Sequence, residues 1–269
     1  MYREDIPYIK EEIDESEKAK RYRWDIAFGL QAVDGLKPSE YMRELAEEHI
    51  EGKIKYQEVE RKIKEYYSDN KNNNVDEKEA DIVSLRIKKI LESKSFILDI
   101  SMLNSIHKEL FTDVLTDVPV GMFRKYNFTK EEDVLYGDTV TYAPEVTISD
   151  VLYNYFLREE AAPYGEMNDY DKAMSVKDFI SRVWKVHPYG EGNTRTVAVF
   201  AIKYYRTLGF EVGNEPFKNN SDYFRDALVL DNITNKEPQY LTRFVENAVL
   251  GNNHELKDIK EIKRIEKSL

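Results

Sequence analysis

Residues 187–195 read His-Pro-Tyr-Gly-Glu-Gly-Asn-Thr-Arg, and the rest of the chain is organised around them. The stretch lies between two segments with apolar periodicity, residues 176–186 and 196–205, and its Gly-Asn turn opens directly into the second of them. That periodicity predicts two helices joined by this loop. The first turn of a helix leaves backbone N–H groups unpaired and carries partial positive charge, so the loop suits a bound phosphate.

Three side chains of the loop add the chemistry of group transfer. The imidazole of His187 can accept a proton near neutral pH. Glu191 offers the hard oxygen ligands that Mg²⁺ prefers, and the usual shell of this ion is one or two protein carboxylates plus substrate phosphates. Arg195, at the start of the following helix, can form forked hydrogen bonds with phosphate oxygens. These residue types at this spacing predict a phosphoryl- or nucleotidyl-transfer loop.

Each residue taken alone also has a structural explanation. His187 could be a buried structural imidazole, Glu191 an ordinary acid at a helix N-terminus, and Arg195 a member of a surface ion pair. The complete string at this spacing, rather than any one residue, favours the chemical interpretation.

The amino-acid composition limits the classes to which the protein can belong. The chain has 269 residues, of which 41% are hydrophobic and 34% charged, with a formal net charge of −11. This length is enough for one large domain or two modest ones. The acidic balance and the lack of a basic stripe argue against nucleic acid as an obligatory partner.

Cysteine, histidine and hydropathy patterns exclude further classes of site. The chain has no cysteine, which excludes disulfides, zinc thiolate sites and a cysteine nucleophile and fits a reducing cytoplasm, the expected location. None of the four histidines forms an i,i+4 pair with another, which argues against a histidine-rich metal site. The charged N-terminus has no signal-peptide pattern, and no run of about 18 apolar residues predicts a membrane span.

Along the chain, the fold class is predicted as mostly α with one β-hairpin. Five segments are expected: a charged N-terminal arm over residues 1–23, a small three-helix module over 24–67, a polar linker over 68–76, the main domain over 77–250 and a charged tail over 251–269. Helical periodicity is predicted over residues 24–33, 40–50, 56–67, from 76 onward, 100–114, 149–159, 171–186, 194–207, 221–230 and 239–250. Residues 134–142, rich in β-branched and aromatic side chains around Gly137-Asp138, predict the hairpin.

The loop resembles the signature of Fic domains, which reads His-Pro-Phe-x-(Asp/Glu)-Gly-Asn-Gly-Arg-x-x-Arg. Three positions differ: Tyr189 stands for the Phe, Thr194 for the third-position Gly and Ala198 for the second Arg. The resemblance extends over roughly residues 80–250 through the order of segments 106–111, 121–124, the predicted hairpin, the loop and 222–228. It implies a Fic-type helical bundle with one hairpin.

The resemblance also implies an activity, protein adenylylation, in which AMP passes from ATP to a Ser, Thr or Tyr hydroxyl of a target protein. His187 matches the catalytic base, and Glu191 matches the ligand of Mg²⁺, so ATP and Mg²⁺ are the expected cofactors. The expected nucleotide-binding residues are Gly190, Gly192, Asn193, Thr194 and Arg195. The hairpin would be a flap that docks the target protein by strand addition, with residues Gly137, Asp138, Thr139, Val140, Thr141 and Tyr142.

The departure at Ala198 leaves alternatives open. In the family, the second arginine grips the γ-phosphate of ATP, so its loss removes one charge-assisted contact. One alternative is transfer of another phosphate-bearing group, such as UMP, phosphate or phosphocholine. Another is a weakly catalytic nucleotide-binding interaction module. The target protein and the oligomeric state do not follow from the sequence.

An inhibitory segment is also implied by the resemblance. Fic enzymes are often inhibited by a helix with the motif (Ser/Thr)-x-x-x-Glu-(Gly/Asn), whose Glu pairs with the second arginine of the signature. Residues 30–38 are similar to part of VbhA-type antitoxins, so residues 24–67 are expected to form an antitoxin-like module. The candidate inhibitory residues are Leu30, Asp34 and Gly35. Because Leu30 replaces Ser/Thr, Asp34 is one methylene shorter than Glu, and position 198 is Ala, the sequence predicts a packed helical cap with weak or no autoinhibition.

A second match to the inhibitory motif occurs near the C-terminus. Residues 242–247 satisfy the pattern literally, with Glu246 as the acid. Because Phe244 and Val245 have the spacing of an ordinary amphipathic helix, we interpret this match as structural.

Overall fold

The computed structural model describes residues 13–68, 74–233 and 239–268, with side chains up to residue 263. Most of the predicted N-terminal arm and most of the predicted linker, residues 1–12 and 69–73, lie outside the described residues. Helices account for the regular structure of the described part, with these bounds: α1 Glu17–Gly29, α2 Glu40–Ile50, α3 Tyr56–Ser68, α4 Val75–Ile90, α5 Ile100–Phe111, α6 Ile148–Glu160, α7 Asp169–Val186, α8 Asn193–Thr207, α9 Glu215–Asn219, α10 Ser221–Asp231, α11 Tyr240–Leu250 and α12 Ile259–Ser268.

The predominantly helical prediction is confirmed, and all predicted helices except the first lie within a few residues of the observed ones. Two helices were not predicted: α9, which is five residues long, and α12 in the charged tail. The first helix also begins earlier than its apolar pattern indicates, at Glu17, because Ser16 caps it with a side-chain hydrogen bond from the backbone N–H of Ala19. None of the described helices combines the length and the hydrophobicity needed to cross a membrane.

Helix α8 is the central element of the bundle. Every residue from its first position, Asn193, to Tyr205 is buried. A helix that is buried on all sides must be surrounded by other elements, and α8 packs against α5, α7 and the 3-10 helix Leu30–Asp34. The loop that precedes α8 is therefore attached to the best-packed part of the molecule.

The N-terminal helices share the core of the main bundle. Trp24 and Leu30 are no more than 1% exposed and belong to a hydrophobic cluster that also includes side chains of α4 to α11. Buried polar contacts join the same elements: the Asp81 carboxylate in α4 accepts hydrogen bonds of 2.6 Å from the hydroxyls of Ser39 and Tyr67. The 3-10 helix Leu30–Asp34 itself packs against α4, α8 and α10 of the main bundle.

The predicted β-hairpin is wrong. Within the described residues no strand forms, and the segment 132–142 is a loop containing the short 3-10 helix Asp133–Leu135. The Glu132 backbone N–H donates to the Asp138 carbonyl over 2.9 Å, and the Gly137 N–H donates to the Glu132 carbonyl over 3.2 Å, so the chain turns back within a few residues. The β-branched and aromatic residues that suggested strands include Val140 and Tyr142, which are buried against the bundle instead.

Candidate active site

His187 lies at the point where α7 ends. Its backbone adopts the left-handed conformation with φ 51° and ψ 60°, which is uncommon for residues other than glycine and is found preferentially at functional sites. The imidazole is 5% exposed and stacks on the ring of Tyr142, with centroids 4.1 Å apart. Trp184 contacts it edge-on at 5.4 Å. The Nδ1 atom of His187 is buried and makes no hydrogen bond with the described residues.

The surroundings of His187 keep it neutral. Burial lowers its pKa to about 3, and the positive charges of Lys130, Arg124 and Arg225 act in the same direction. A neutral imidazole at pH 7 can accept a proton, which is what a general base requires.

Arg124 fixes the backbone on both sides of His187. Its Nε donates to the His187 carbonyl over 2.8 Å, and its own backbone N–H donates to the Pro188 carbonyl over 2.8 Å. Further N–H groups of this guanidinium donate to the carbonyls of Tyr126 and Ala143. Because the side chain is 3% exposed and is surrounded by carbonyls, it positions the loop. The role of Arg124 was not predicted from the sequence, although Arg124 lies in segment 121–124, one of the segments that carry the family resemblance.

The side chain of Asn193 bridges the loop through two hydrogen bonds with the backbone of Tyr189. Its Oδ1 accepts a hydrogen bond from the Tyr189 N–H over 3.0 Å, and its Nδ2 donates to the Tyr189 carbonyl over 2.9 Å. The predicted nucleotide-binding amide is therefore 3% exposed and engaged with the loop's own backbone. Gly190 lies against Val118 and Tyr126, where a Cβ would come within 2.8 Å of both side chains. These two residues shape the loop, and the N–H groups of the first turn of α8 are the feature of the loop suited to a phosphate.

His107 in α5 packs against the loop, a role that was not predicted from the sequence. Its Nδ1 accepts a hydrogen bond from the Gly121 N–H over 2.8 Å, so Nε2 carries the proton and donates to the Glu191 carbonyl over 3.0 Å. The ring stacks on Tyr189 with centroids 3.8 Å apart, and burial lowers its pKa to about 4. Its only sequence signal was its place in segment 106–111.

Gly192 is required where it stands for two independent reasons. Its φ is +73°, and a Cβ there would come within 2.4 Å of the Phe111 ring. We expect Gly192→Ala to lower the free energy of unfolding by about 3 kcal/mol, in part from strain and in part from displacement of the ring.

Gly251→Ala is the matched control for Gly192→Ala. Gly251 has a φ of +71° with nothing near its added Cβ, so only the strain contribution of about 1 kcal/mol is expected. Urea denaturation of both variants measures the difference. Equal losses would contradict the proposed contact with Phe111.

Thr194 is a structural residue. Its hydroxyl accepts a hydrogen bond from the indole N–H of Trp184 over 3.0 Å, and the side chain is 5% exposed. The residue that replaces the usual glycine of the signature thus connects α8 to the end of α7. Its side chain is engaged in the core, away from solvent.

Glu191 is the residue that could hold a metal ion. Its side chain is 44% exposed, and Oε1 lies 3.5 Å from the ammonium of Lys130. No group of three or more acidic or histidine side chains suited to a metal occurs within the described residues. A single accessible carboxylate fits Mg²⁺ when substrate phosphates and water complete the coordination.

Arg195 lies in a closed polar cage. The side chain is 1% exposed, with Nη2 at 2.6 Å from Glu79 Oε1 and Nε at 2.7 Å from Asp34 Oδ2. The third cage residue is Gln31, whose Oε1 accepts from Nη1 over 3.3 Å. The Asp34 contact is electrostatic, since neither Arg195 Nε nor Asp34 Oδ2 makes a well-directed hydrogen bond. A phosphate can reach this guanidinium only if the cage opens.

The candidate inhibitory residues have distinct positions. Leu30 is fully buried in the core, and Gly35 ends the 3-10 helix Leu30–Asp34 with a φ of 72°. Asp34 contacts the first arginine of the signature, Arg195, whereas the family resemblance implies a contact with the residue at position 198. Glu246, the acid of the C-terminal match, lies 2.5 Å from His254 in a helix whose apolar face is buried, which agrees with its structural interpretation.

The predicted docking residues lie on the loop beside His187. Gly137, Asp138 and Thr141 are exposed, whereas Val140 and Tyr142 are buried. Tyr142 connects this loop to the site, because its hydroxyl donates to Glu132 over 3.2 Å while its ring covers His187.

Similarity to known proteins was found among solved structures. No family model and no curated protein matches the chain. The fold is similar to the BepC protein, a VirB-translocated effector from Bartonella tribocorum with bound AMPPNP, at a TM-score of 0.52 and 17% identity over 68% of this chain and 89% of that chain.

Two further solved structures have the same fold. An N-terminal Fic domain from Bartonella quintana with bound ADP has a TM-score of 0.54 and 19% identity over 67% of this chain and 88% of that chain. A Fic domain-containing signaling protein from Bacteroides thetaiotaomicron has a TM-score of 0.53 and 14% identity over 85% of this chain and 82% of that chain. The chain therefore has the fold of Fic-domain proteins.

Proposed function

We propose that the chain is a Mg²⁺-dependent protein adenylyltransferase that transfers AMP from ATP to a hydroxyl of a target protein. The observation that carries this proposal is the buried imidazole of His187, which stacks on Tyr142 at the end of α7. The short loop that follows it carries the accessible carboxylate of Glu191 and leads into the N-terminus of α8. The AMPPNP and ADP bound to two proteins of the same fold support a nucleotide as the ligand.

The chain's own groups supply positioning and proton transfer in this reaction. His187 accepts the proton of the target hydroxyl while the hydroxyl oxygen attacks the α-phosphorus of ATP. The bond from that phosphorus to the bridging oxygen breaks, and pyrophosphate leaves. The N–H groups of the first turn of α8 hold phosphate oxygens in place. Mg²⁺, held by Glu191, would neutralise charge on the phosphates.

The exposed residues Gly137, Asp138 and Thr141 are the proposed contact region for the target protein. They lie on the loop whose next buried residue, Tyr142, stacks on His187. A hydroxyl carried by a target bound at this loop would therefore approach the base. The target would contact the exposed backbone and side-chain groups of this compact turn.

A second candidate function is nucleotide binding without efficient transfer. Two observations favour it: the enclosed Arg195 is unavailable to a phosphate while its cage is closed, and position 198 carries alanine. Transfer of UMP, phosphate or phosphocholine remains a related alternative for the same site.

Labelled-nucleotide transfer distinguishes these candidates. The full chain would be incubated with ATP labelled on the α-phosphate, with and without Mg²⁺, in the presence of candidate target proteins. Label on protein that requires His187 supports adenylylation. ATP binding without transfer to any target favours the binding module, and transfer only from labelled UTP or from γ-labelled ATP favours a different donated group.

The pH dependence of the reaction tests the protonation state of His187. Because its pKa in the free protein is about 3, the base stays neutral from pH 7 to pH 5. We expect kcat/KM to be nearly constant over this range, whereas a histidine of ordinary pKa would lose about 20-fold. Circular dichroism at each pH controls for unfolding. An inflection near pH 6.5 would show that His187 is accessible and ordinary.

A further inference from the structure

The cations around His187 differ in how accessible they are to a ligand. Arg195 is 1% exposed and enclosed by two carboxylates, and Arg124 is 3% exposed and donates to backbone carbonyls. By contrast, the side chain of Lys130 is 33% exposed and that of Arg225 is 23% exposed. An entering anion therefore meets Lys130 and Arg225 first.

Lys130 lies at the edge of the signature loop. Its ammonium is 3.5 Å from the Glu191 carboxylate, four residues beyond His187. Among the charges that act on His187, that of Lys130 has the largest effect. This lysine is thus close to both the predicted base and the predicted metal ligand.

Arg225 reaches the site from α10. Its Nη2 donates to Glu132 Oε2 over 2.8 Å, and its Nη1 donates to the Val33 carbonyl over 3.1 Å. The other oxygen of Glu132 accepts from the hydroxyl of Tyr142, the ring that covers His187. Arg225 is therefore joined to the catalytic base through one carboxylate and one ring. A guanidinium has five N–H donors, and these two hydrogen bonds use only part of them.

We propose that Lys130 and Arg225 are the phosphate-binding cations of this site and that they serve in place of the arginine missing at position 198. This inference rests on the proposed function and specifies which side chains hold the nucleoside polyphosphate. Two positive charges from separate elements near His187 can neutralise a polyphosphate in the way that motif arginines do elsewhere. The proposal also explains how a site with an enclosed Arg195 can attract a nucleotide.

Glu132 competes with the ligand in this arrangement. It is 2% exposed, and its carboxylate neutralises Arg225. Replacing it with the isosteric glutamine keeps an oxygen acceptor for Arg225 but removes the negative charge. We therefore expect Glu132→Gln to strengthen ATP binding, whereas a purely structural ion pair predicts unchanged or weaker binding.

Calorimetric titration of the full chain with ATP tests the proposal. We expect Lys130→Met to weaken ATP binding about 10-fold, the size typical of a lost charged hydrogen bond. The double variant Glu132→Gln/Arg225→Gln avoids an unpaired buried carboxylate, and we expect a similar loss from it. Glu132→Gln alone should tighten binding severalfold.

Matched controls are Lys125→Met and Arg158→Gln, which remove one charge each from exposed positions. Both should bind ATP within twofold of the unmodified chain. Unchanged ATP affinity in Lys130→Met and in the double variant would overturn the proposal while leaving the proposed function intact. If the unmodified chain binds neither ATP nor ADP, the proposed function falls together with it.

Discussion

We expect His187→Ala to lower the rate of the proposed AMP transfer by about 10²- to 10⁴-fold, the contribution expected of a positioned general base. The imidazole is neutral because it is buried beneath Tyr142 and close to three cations, so it can accept the hydroxyl proton directly. ATP affinity should change little, since we propose that the phosphates contact the first turn of α8, Lys130 and Arg225 and not His187. Single-turnover transfer with labelled ATP measures the chemical step apart from binding.

A second variant at position 187 serves as a control for the effect of the substitution on the backbone. Its left-handed conformation is tolerated by asparagine better than by most residues, so His187→Asn preserves the turn and removes the base. Both variants should fold as the unmodified chain does and should be equally inactive. Transfer by His187→Asn at more than a tenth of the original rate would exclude His187 as the base.

We expect Asp34→Asn to raise ATP affinity and the rate of the proposed transfer by about 10-fold, because it weakens the cage that encloses Arg195. The two charges are 2.7 Å apart and the arginine is 1% exposed, so a phosphate and Asp34 compete for one guanidinium. Asparagine is close in size to aspartate, which limits the effect to charge. Calorimetry with ATP and the transfer assay measure the two consequences.

Three comparisons make the Asp34 result specific. Asp34→Glu keeps the charge and should keep the affinity low, and Glu79→Gln removes the other carboxylate of the cage and should act in the same direction as Asp34→Asn. Lys37→Gln, at a solvent-exposed position near Asp34, should have no effect. Unchanged ATP affinity in Asp34→Asn would instead support the prediction made from the sequence, that the N-terminal helices pack without inhibiting.

The helices of this chain were predictable because their signals are local. The periodicity of apolar residues places α2 at residues 40–50 as observed, and Gly35 ends the preceding element in the left-handed conformation expected of a capping glycine. The unpredicted α9 is too short to show a period. The hairpin was mispredicted because β-branched residues also suit a buried loop, and strand formation needs a pairing partner that local sequence does not reveal.

The loop was predictable because its signal is contiguous. Residues 187–192 connect α7 to α8, which begins at Asn193, and the fold matches that of Fic-domain proteins. Residues outside the string that position the loop had weak signals: His107 contacts the loop backbone through one hydrogen bond to the Glu191 carbonyl, and Arg124 through bonds to the His187 and Pro188 carbonyls. Several residues inside it, such as Asn193 and Thr194, have structural contacts that their motif positions do not indicate.

The sequence by itself determined the helical class, the loop and the types of chemical group that it carries, because periodicity and motif spacing act over a few residues. Only the tertiary structure decided the protonation and the ion-pair partners of those groups. The neutrality of His187 depends on burial by distant rings, and the partner of Asp34 is an arginine from a helix far along the chain. Charge pairing and desolvation are set by atoms brought together in space, so these properties followed from the folded structure alone.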